Sequence, residues 1–135
     1  MIRDIKPEEI PQIKKFVDSF EEMDVDENTF PESFYERMLK EGILLIAEEK
    51  KNIVGVCFGK YNKFEAWSDL LGIVVKPEFH KKGIGRALVK EFEGKVKREG
   101  ALTIDTYSDI KQKDFFKKLG FKKGRTYLAF RKKVI

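Results

Sequence analysis

The chain contains one cysteine and one histidine in 135 residues. A single thiol, Cys57, cannot close an internal disulfide, and no Cys/His cluster exists to hold zinc, so no metal site is expected. Long apolar runs are also missing. The best candidates, "ILLIA" and "IVGVCF", are strand-sized, whereas a membrane-spanning helix needs about 20 residues. No membrane partner is expected. The opening "MIRDIKPEE" has no hydrophobic signal region, which predicts a cytoplasmic location. Internal repeats, low-complexity tracts and long linkers are absent as well, and the length suits one domain over residues 1–135. Asn and Gln are scarce while Lys and Glu dominate the 38% of charged residues, a balance typical of thermophilic proteins.

What is present favours a packed core. Hydrophobic residues make up 41% of the chain, twelve of them Phe, which excludes disorder. A chain of this length buries roughly two thirds of the surface it exposes when unfolded. Cys57, inside "IVGVCF", reads as a core residue rather than a nucleophile. The net charge of +5 favours anionic partners. Nucleic acid is not expected among them, because the basic residues of "KKGRTYLAFRKK" alternate with apolar ones as in an edge strand.

Periodicity predicts the order β-α-α-β-β-β-α-β-α-β. "MIRDI" opens with a strand, and Ile10, Ile13, Phe16/Val17 and Phe20 then recur at helical spacing. "PESFYERMLKEG" reads as a second helix ended by Gly42. "ILLIAEE", "NIVGVCFGKY" and "WSDLLGIVV" read as hairpin-linked strands, the last a central one covered on both sides. A helix over 84–98 carries Ile84, Leu88, Phe92 and Val96 on one face, and Gly100 closes it. "ALTIDTY" follows as a strand parallel to "LLGIVV" through a right-handed crossover. A short helix at "IKQKDFFKKLG" and a last strand at "TYLAFRKKV" complete the chain. The fold class is mixed α+β, with a central sheet of about six to seven mainly antiparallel strands, one parallel pair and about four flanking helices.

The most informative stretch is "VVKPEFHKKGIGRALV", residues 74–89. A strand runs into a basic glycine turn that opens a helix. Amides of such a turn converge with the helix's unpaired first N–H groups and attract an anion. Gly83 and Gly85 permit unusual dihedrals and close approach of a ligand. Lys81, Lys82 and Arg86 add positive charge. A P-loop is excluded because "GIGRAL" lacks Gly-Lys-Ser/Thr, and a Rossmann fingerprint because Leu88 stands where its third glycine belongs.

The stretch resembles the pyrophosphate loop of the GNAT superfamily of acyl-CoA-dependent N-acyltransferases, Gln/Arg-x-x-Gly-x-Gly/Ala after a strand ending V-x-P. "FFKKLGF" (115–121) is similar to that family's "FYxKLGF". The resemblance covers residues 43–121 and implies a GNAT-like fold. It also implies that His80, Lys81, Lys82, Gly83, Ile84, Gly85 and Arg86 bind the pyrophosphate of acetyl-CoA, largely through main-chain amides. Val74 and Val75 would pair with the pantetheine arm, and Phe116 would stand beside the cofactor. His80 occupies the family's Gln/Arg position.

The implied activity is transfer of an acetyl group to a primary amine of a small molecule or peptide, by direct attack without a covalent enzyme intermediate. An alkyl ammonium is neutral only about once in a few thousand molecules at pH 7, so a general base is worth about 10²–10⁴-fold. Glu65 and Asp69 are the acidic candidates on or beside the relevant strand, Asp69 being preferred. The family's thiolate-protonating tyrosine is Phe116 here, which leaves Tyr107 or water as the acid, and a thiolate of pKa about 8.5 leaves tolerably without one. Six carboxylates in "DSFEEMDVDEN" (18–28) suggest a cationic acceptor. The alternative is a GNAT-fold module that binds acyl-CoA without turnover. Monomer and homodimer are both compatible with the sequence.

Overall fold

The computed structural model describes residues 1–20, 30–108, 112–130 and 132–134. Its elements are β1 (Ile2–Asp4), α1 (Ile10–Asp18), α2 (Glu32–Glu41), β2 (Ile43–Glu49), β3 (Asn52–Asn62), β4 (Trp67–Val75), α3 (Ile84–Arg98), β5 (Thr103–Thr106) and α4 (Lys113–Lys118). The strands form one sheet in the order β1-β2-β3-β4-β5. All neighbours are antiparallel except β4 and β5, which run parallel. This is the expected mixed architecture with five strands rather than six or seven. "TYLAFRKKV" forms no strand among its described residues. Its alternation suits a sheet, but alternation supplies no neighbour, and Leu128 and Phe130 stand exposed.

The sheet separates two cores. On one face α1 and α2 deliver Ile10, Ile13, Val17, Tyr35 and Met38 onto Ile46, Val56 and Phe58. On the other, α3 sets Leu88, Val89, Phe92 and Val96 against Leu45, Cys57 and Leu70, with Phe116 of α4. Phe92 is fully buried, and a side chain of that size contributes about 1.5–3 kcal/mol by leaving water. The face of α3 is the 84–88–92–96 stripe that the sequence predicts, because i, i+4 residues lie above one another. β2 and β3 are joined by Lys50 and Lys51, both with positive φ (49° and 68°), which matches the twist a two-residue hairpin needs.

Two features of β4 decide which of its peptide groups are free. Phe58 faces Gly72 and Gly59 faces Leu70, so Leu71 is an extra residue in the ladder. This β-bulge turns the strand over. Leu70 packs with the α3 core, whereas Val74, four residues on, packs with the α1/α2 core. The second feature is the shortness of the parallel pairing, which runs from Trp67/Thr103 to Leu70/Thr106 and stops. Side chains fasten it: buried Ser68 donates to the Thr103 carbonyl (2.9 Å), and Thr106 Oγ1 to the Leu70 carbonyl (3.0 Å). Beyond that point β4 continues without a partner on its β5 side. The strand packs on both cores, as expected of one covered on both faces, but is open along half of one edge, and Leu71 is exposed.

Candidate active site

The open edge of β4 has a definite polarity. Gly55 and Val75 face each other, and the Lys76 amide donates to the Val54 carbonyl at 2.8 Å. In an antiparallel ladder that bond marks Val75 as a non-hydrogen-bonded position, whose own N–H and C=O point away from β3. Ile73, two residues earlier, has the same orientation. Peptide groups of Ile73 and Val75 thus face the gap left by β5, while those of Val74 face β3 and its side chain is buried. Of the expected pair, Val75 offers peptide groups to this edge and Val74 does not. Ile73, which sequence reasoning missed, does. Its orientation follows from the register, which sequence alone does not display.

At one end of this edge lies the basic turn. Lys81 (φ 64°) and Gly83 (φ 82°) adopt left-handed conformations, giving the alternating backbone that gathers N–H groups into a concavity. No side chain caps α3, and the amides of Ile84, Gly85 and Arg86 have no acceptor among the described residues. They carry the positive end of a fifteen-residue helix. A Cβ on Gly83 would meet no atom within 4 Å, so space lies in front of the turn. Gly85 serves a different purpose: its Cβ would stand 3.1 Å from the Phe115 ring, so the second glycine lets α4 approach α3. Lys81, Lys82 and Arg86 are exposed, and the Lys82 ammonium sits 5.2 Å from the centroid of Phe79. Ile84 turns inward to the α3 core. His80 Nε2 donates to the Val75 carbonyl at 2.8 Å, tying turn to strand.

At the other end, where β4 and β5 part, are the candidate acid–base groups. Asp69 precedes Leu70, the last paired residue, and Tyr107 follows Thr106, its partner. Because Leu70 faces α3, Asp69 faces the α1/α2 side. Lys60 stands opposite Asp69 on β3 and Asp105 on β5, making a row of one cation and two carboxylates across three strands. Asp105 was not anticipated, since parallel register is not legible from residue types. Asp69 is partly buried and Tyr107 is 77% exposed, its ring 6.2 Å from that of Tyr127. Glu65 lies in the exposed turn before β4.

Phe116 is only 6% exposed and packs edge-on to Phe115 and Phe121. Its ring belongs to the core beneath the turn. The acidic stretch from Glu21 to Asn28, and Asp109, lie outside the described residues. Cys57 is buried, and burial pushes its thiol up to about 12, which leaves it protonated and inert. The described residues contain no cluster of His, Cys, Asp and Glu able to hold a metal ion, and no helix long and apolar enough to cross a membrane.

The family model described as "Acetyltransferase (GNAT) domain" matches residues 40–123, which span β2 to the end of α4. The chain belongs to the GNAT acetyltransferases. Solved structures of the same fold include aminoglycoside N-acetyltransferase AAC(6')-Iy in complex with CoA, at TM-score 0.79 and 14% identity, covering 98% of this chain and 99% of that one. Glucosamine-6-phosphate N-acetyltransferase from Arabidopsis thaliana superposes at TM-score 0.76 with 15% identity over 97% of both chains. A transcriptional regulator from Bacillus halodurans C-125 is similar at TM-score 0.79 and 20% identity, over 97% and 98% of the two chains. No curated protein sequence matches. For this GNAT chain the similarity fixes the architecture, within which the β4 edge, the basic turn and the Asp69–Tyr107 end lie along one path.

Proposed function

We propose that this protein is an N-acetyltransferase that moves an acetyl group from acetyl-CoA to a primary amine. The observation that carries this reading is the continuity of the open β4 edge with the uncapped, glycine-turned start of α3. An extended amide-containing arm suits the first and a pyrophosphate the second. In this reading the amides of Ile84, Gly85 and Arg86 hold the pyrophosphate, with Lys81, Lys82 and Arg86 supplying charge. Val75 and Ile73 offer the arm their outward peptide groups, and the Ile73 N–H, nearer Asp69, polarises the thioester carbonyl.

Asp69, directly or through a water, takes a proton from the acceptor ammonium. The free amine attacks the carbonyl carbon, the new C–N bond forms, and the C–S bond breaks. The thiolate takes a proton from Tyr107 or water, and the second proton, lost from the new amide nitrogen, restores that donor. No covalent enzyme intermediate is required. Asp105 beside Asp69 adds negative charge that favours a cationic acceptor, in line with the carboxylates of residues 18–28. The chemistry needs neither a metal nor a membrane, and a cytoplasmic location and a thermophilic source remain our expectation from composition.

Phe116 favours a second reading, a module that binds acyl-CoA without turnover, because a buried phenylalanine cannot protonate a leaving thiolate. Calorimetry with acetyl-CoA followed by a thiol-release screen over amines separates the two. Aminoglycosides and glucosamine 6-phosphate belong in that screen, since neighbours of this fold bear those names. Stoichiometric binding with thiol release supports the enzyme. Binding without release from any amine supports the module, and no binding rejects both.

A further inference from the structure

Helices α1 and α2 cover their face of the sheet as far as Phe58 and Val74, which lie buried beneath them. Beyond those residues the same face forms an open shelf. Lys60 and Asn62 stand on it from β3, Asp69 and Trp67 from β4, Asp105 and Thr103 from β5. They make two rows across the strands, Lys60–Asp69–Asp105 and Asn62–Trp67–Thr103, next to the point where β4 and β5 part. Lys60, Trp67, Thr103 and Asp105 are exposed. The charged groups lack partners: Lys60, Asp69 and Asp105 form no ion pair and no side-chain hydrogen bond among the described residues, although Asp69 is half-buried. Trp67, the chain's single tryptophan, is 39% exposed, and its ring meets no other ring among those residues.

We propose that the acceptor is a short aliphatic diamine, with its reacting nitrogen at Asp69 and its second ammonium held between the Asp105 carboxylate and the face of Trp67. The inference rests on the transferase reading of this site and makes Trp67 and Asp105 determinants of specificity. An indole face attracts an ammonium ion more strongly than any other side-chain ring, and a neighbouring carboxylate adds to that attraction.

The spacing fits. Asp105 lies about 5 Å to the side of Asp69, and Trp67 about 7 Å along β4. A zigzag carbon chain advances about 1.25 Å per bond, so a diamine of about four carbons carries its second nitrogen to that place. Charge sets the direction. It changes sign across β4, from Lys60 on β3 to Asp105 on β5, so Lys60 repels the second ammonium and turns it toward β5. An amine with one charge and the same carbon chain leaves Asp105 unpaired.

The fluorescence of Trp67, free of interference from any other tryptophan, reads occupancy of the shelf without turnover. Titration of the full chain with tetramethylenediamine should give a saturable change, with binding about tenfold tighter than that of butylamine. The gap should close as salt screens it. Asp105→Asn should weaken diamine binding about 3- to 10-fold and leave butylamine binding where it was, while Lys60→Gln should tighten the diamine. In thiol-release assays these changes should appear in KM for the diamine rather than in kcat. Equal affinity for the two amines overturns the proposal, as does an Asp105→Asn variant that binds the diamine as before. Diamine binding in the expected pattern, with no thiol release from any amine, supports the shelf and rejects the transferase reading. Thiol release without preference for the diamine rejects the shelf and leaves that reading standing.

Discussion

The imidazole Nε2 of His80 donates to the carbonyl oxygen of Val75 at 2.8 Å. The basic turn is thereby fastened to the strand edge along which the acyl donor is proposed to lie. A hydrogen bond of this kind contributes about 0.5–1.5 kcal/mol. His80→Ala should weaken acetyl-CoA binding about 2- to 10-fold, the corresponding range, in isothermal titration. His80→Gln, which keeps a donor, should recover most of the loss. Tighter binding by the alanine variant would show instead that His80 competes with the pantetheine arm for that carbonyl.

Charge in the turn is testable without disturbing the packing. Lys81 and Lys82 are exposed, and Lys81→Glu/Lys82→Glu should lower affinity for acetyl-CoA by at least about tenfold at low salt, with the gap shrinking as salt screens it. Thermal stability should hardly move. A large residue at Gly85 would be a poor probe of the same question, since Phe115 already occupies the space its side chain needs.

The division of labour at the far end of β4 predicts different kinetic signatures. Asp69→Asn should reduce kcat for thiol release about 10²–10⁴-fold, the usual worth of a general base, with KM for acetyl-CoA little changed. Tyr107→Phe should cost no more than about tenfold, because a thiolate of pKa about 8.5 departs without much help. An Asp69→Asn variant at full rate would shift the base to Asp105 or Glu65, and Asp105→Asn is the next variant to assay.

How much of the molecule is legible in its sequence depends on whether a feature is local. Helix α3 is readable to its ends, because its stripe repeats at 3.6 residues and Gly100 (φ 100°) stops it. The basic glycine turn is readable too, since Gly83, the lysines and the helix start are neighbours in the chain. Gly85 is legible only in part: its partner, Phe115, is thirty positions away. The bulge at Leu71, the outward peptide of Ile73 and the approach of Asp105 to Asp69 all depend on register between strands. No residue type announces that. The expected last strand fails for the same reason, since the alternation of "TYLAFRKKV" suits a sheet but no strand pairs with it among the described residues.

Tyr35 offers a test of stability. Its hydroxyl is buried without a hydrogen-bond partner among the described residues, within a group of rings formed by Phe30, Phe34 and Phe58. Burial, with Asp18 adding to it, pushes its pKa well above the ordinary tyrosine value. An unpaired buried hydroxyl costs about 1–3 kcal/mol, so Tyr35→Phe should raise unfolding free energy by about 1 kcal/mol. Denaturant titration would show it, and a loss of stability would reveal a partner such as a buried water.

Acid should act through Arg3. Its guanidinium grips Glu9 at 2.9 and 2.8 Å and Glu48 at 2.6 Å, joining β1, the turn before α1 and β2. The hydrogen bonds from Arg3 lower the Glu9 pKa to about 2. A carboxylate depressed in the folded state stabilises fully above its unfolded pKa, about 4.3, and the contribution fades as pH falls toward 2. Melting temperature should therefore drop across that window, and Glu9→Gln should flatten the drop. An equally steep fall in the variant would assign it to other carboxylates.

The extra residue at Leu71 carries a wider implication. Pairing it opposite Phe58 as an ordinary ladder residue would let β3 and β4 run without interruption and would restore one alternation of side chains along β4. The sheet would become more regular. Yet every residue beyond it would also slip by one position, turning the peptide groups of Val75 and Ile73 toward β3 and presenting those of Val74 to the gap instead. The proposed seat for an extended arm, in its present register, thus depends on an irregularity of a single residue. Here a more regular sheet and a working one are different molecules.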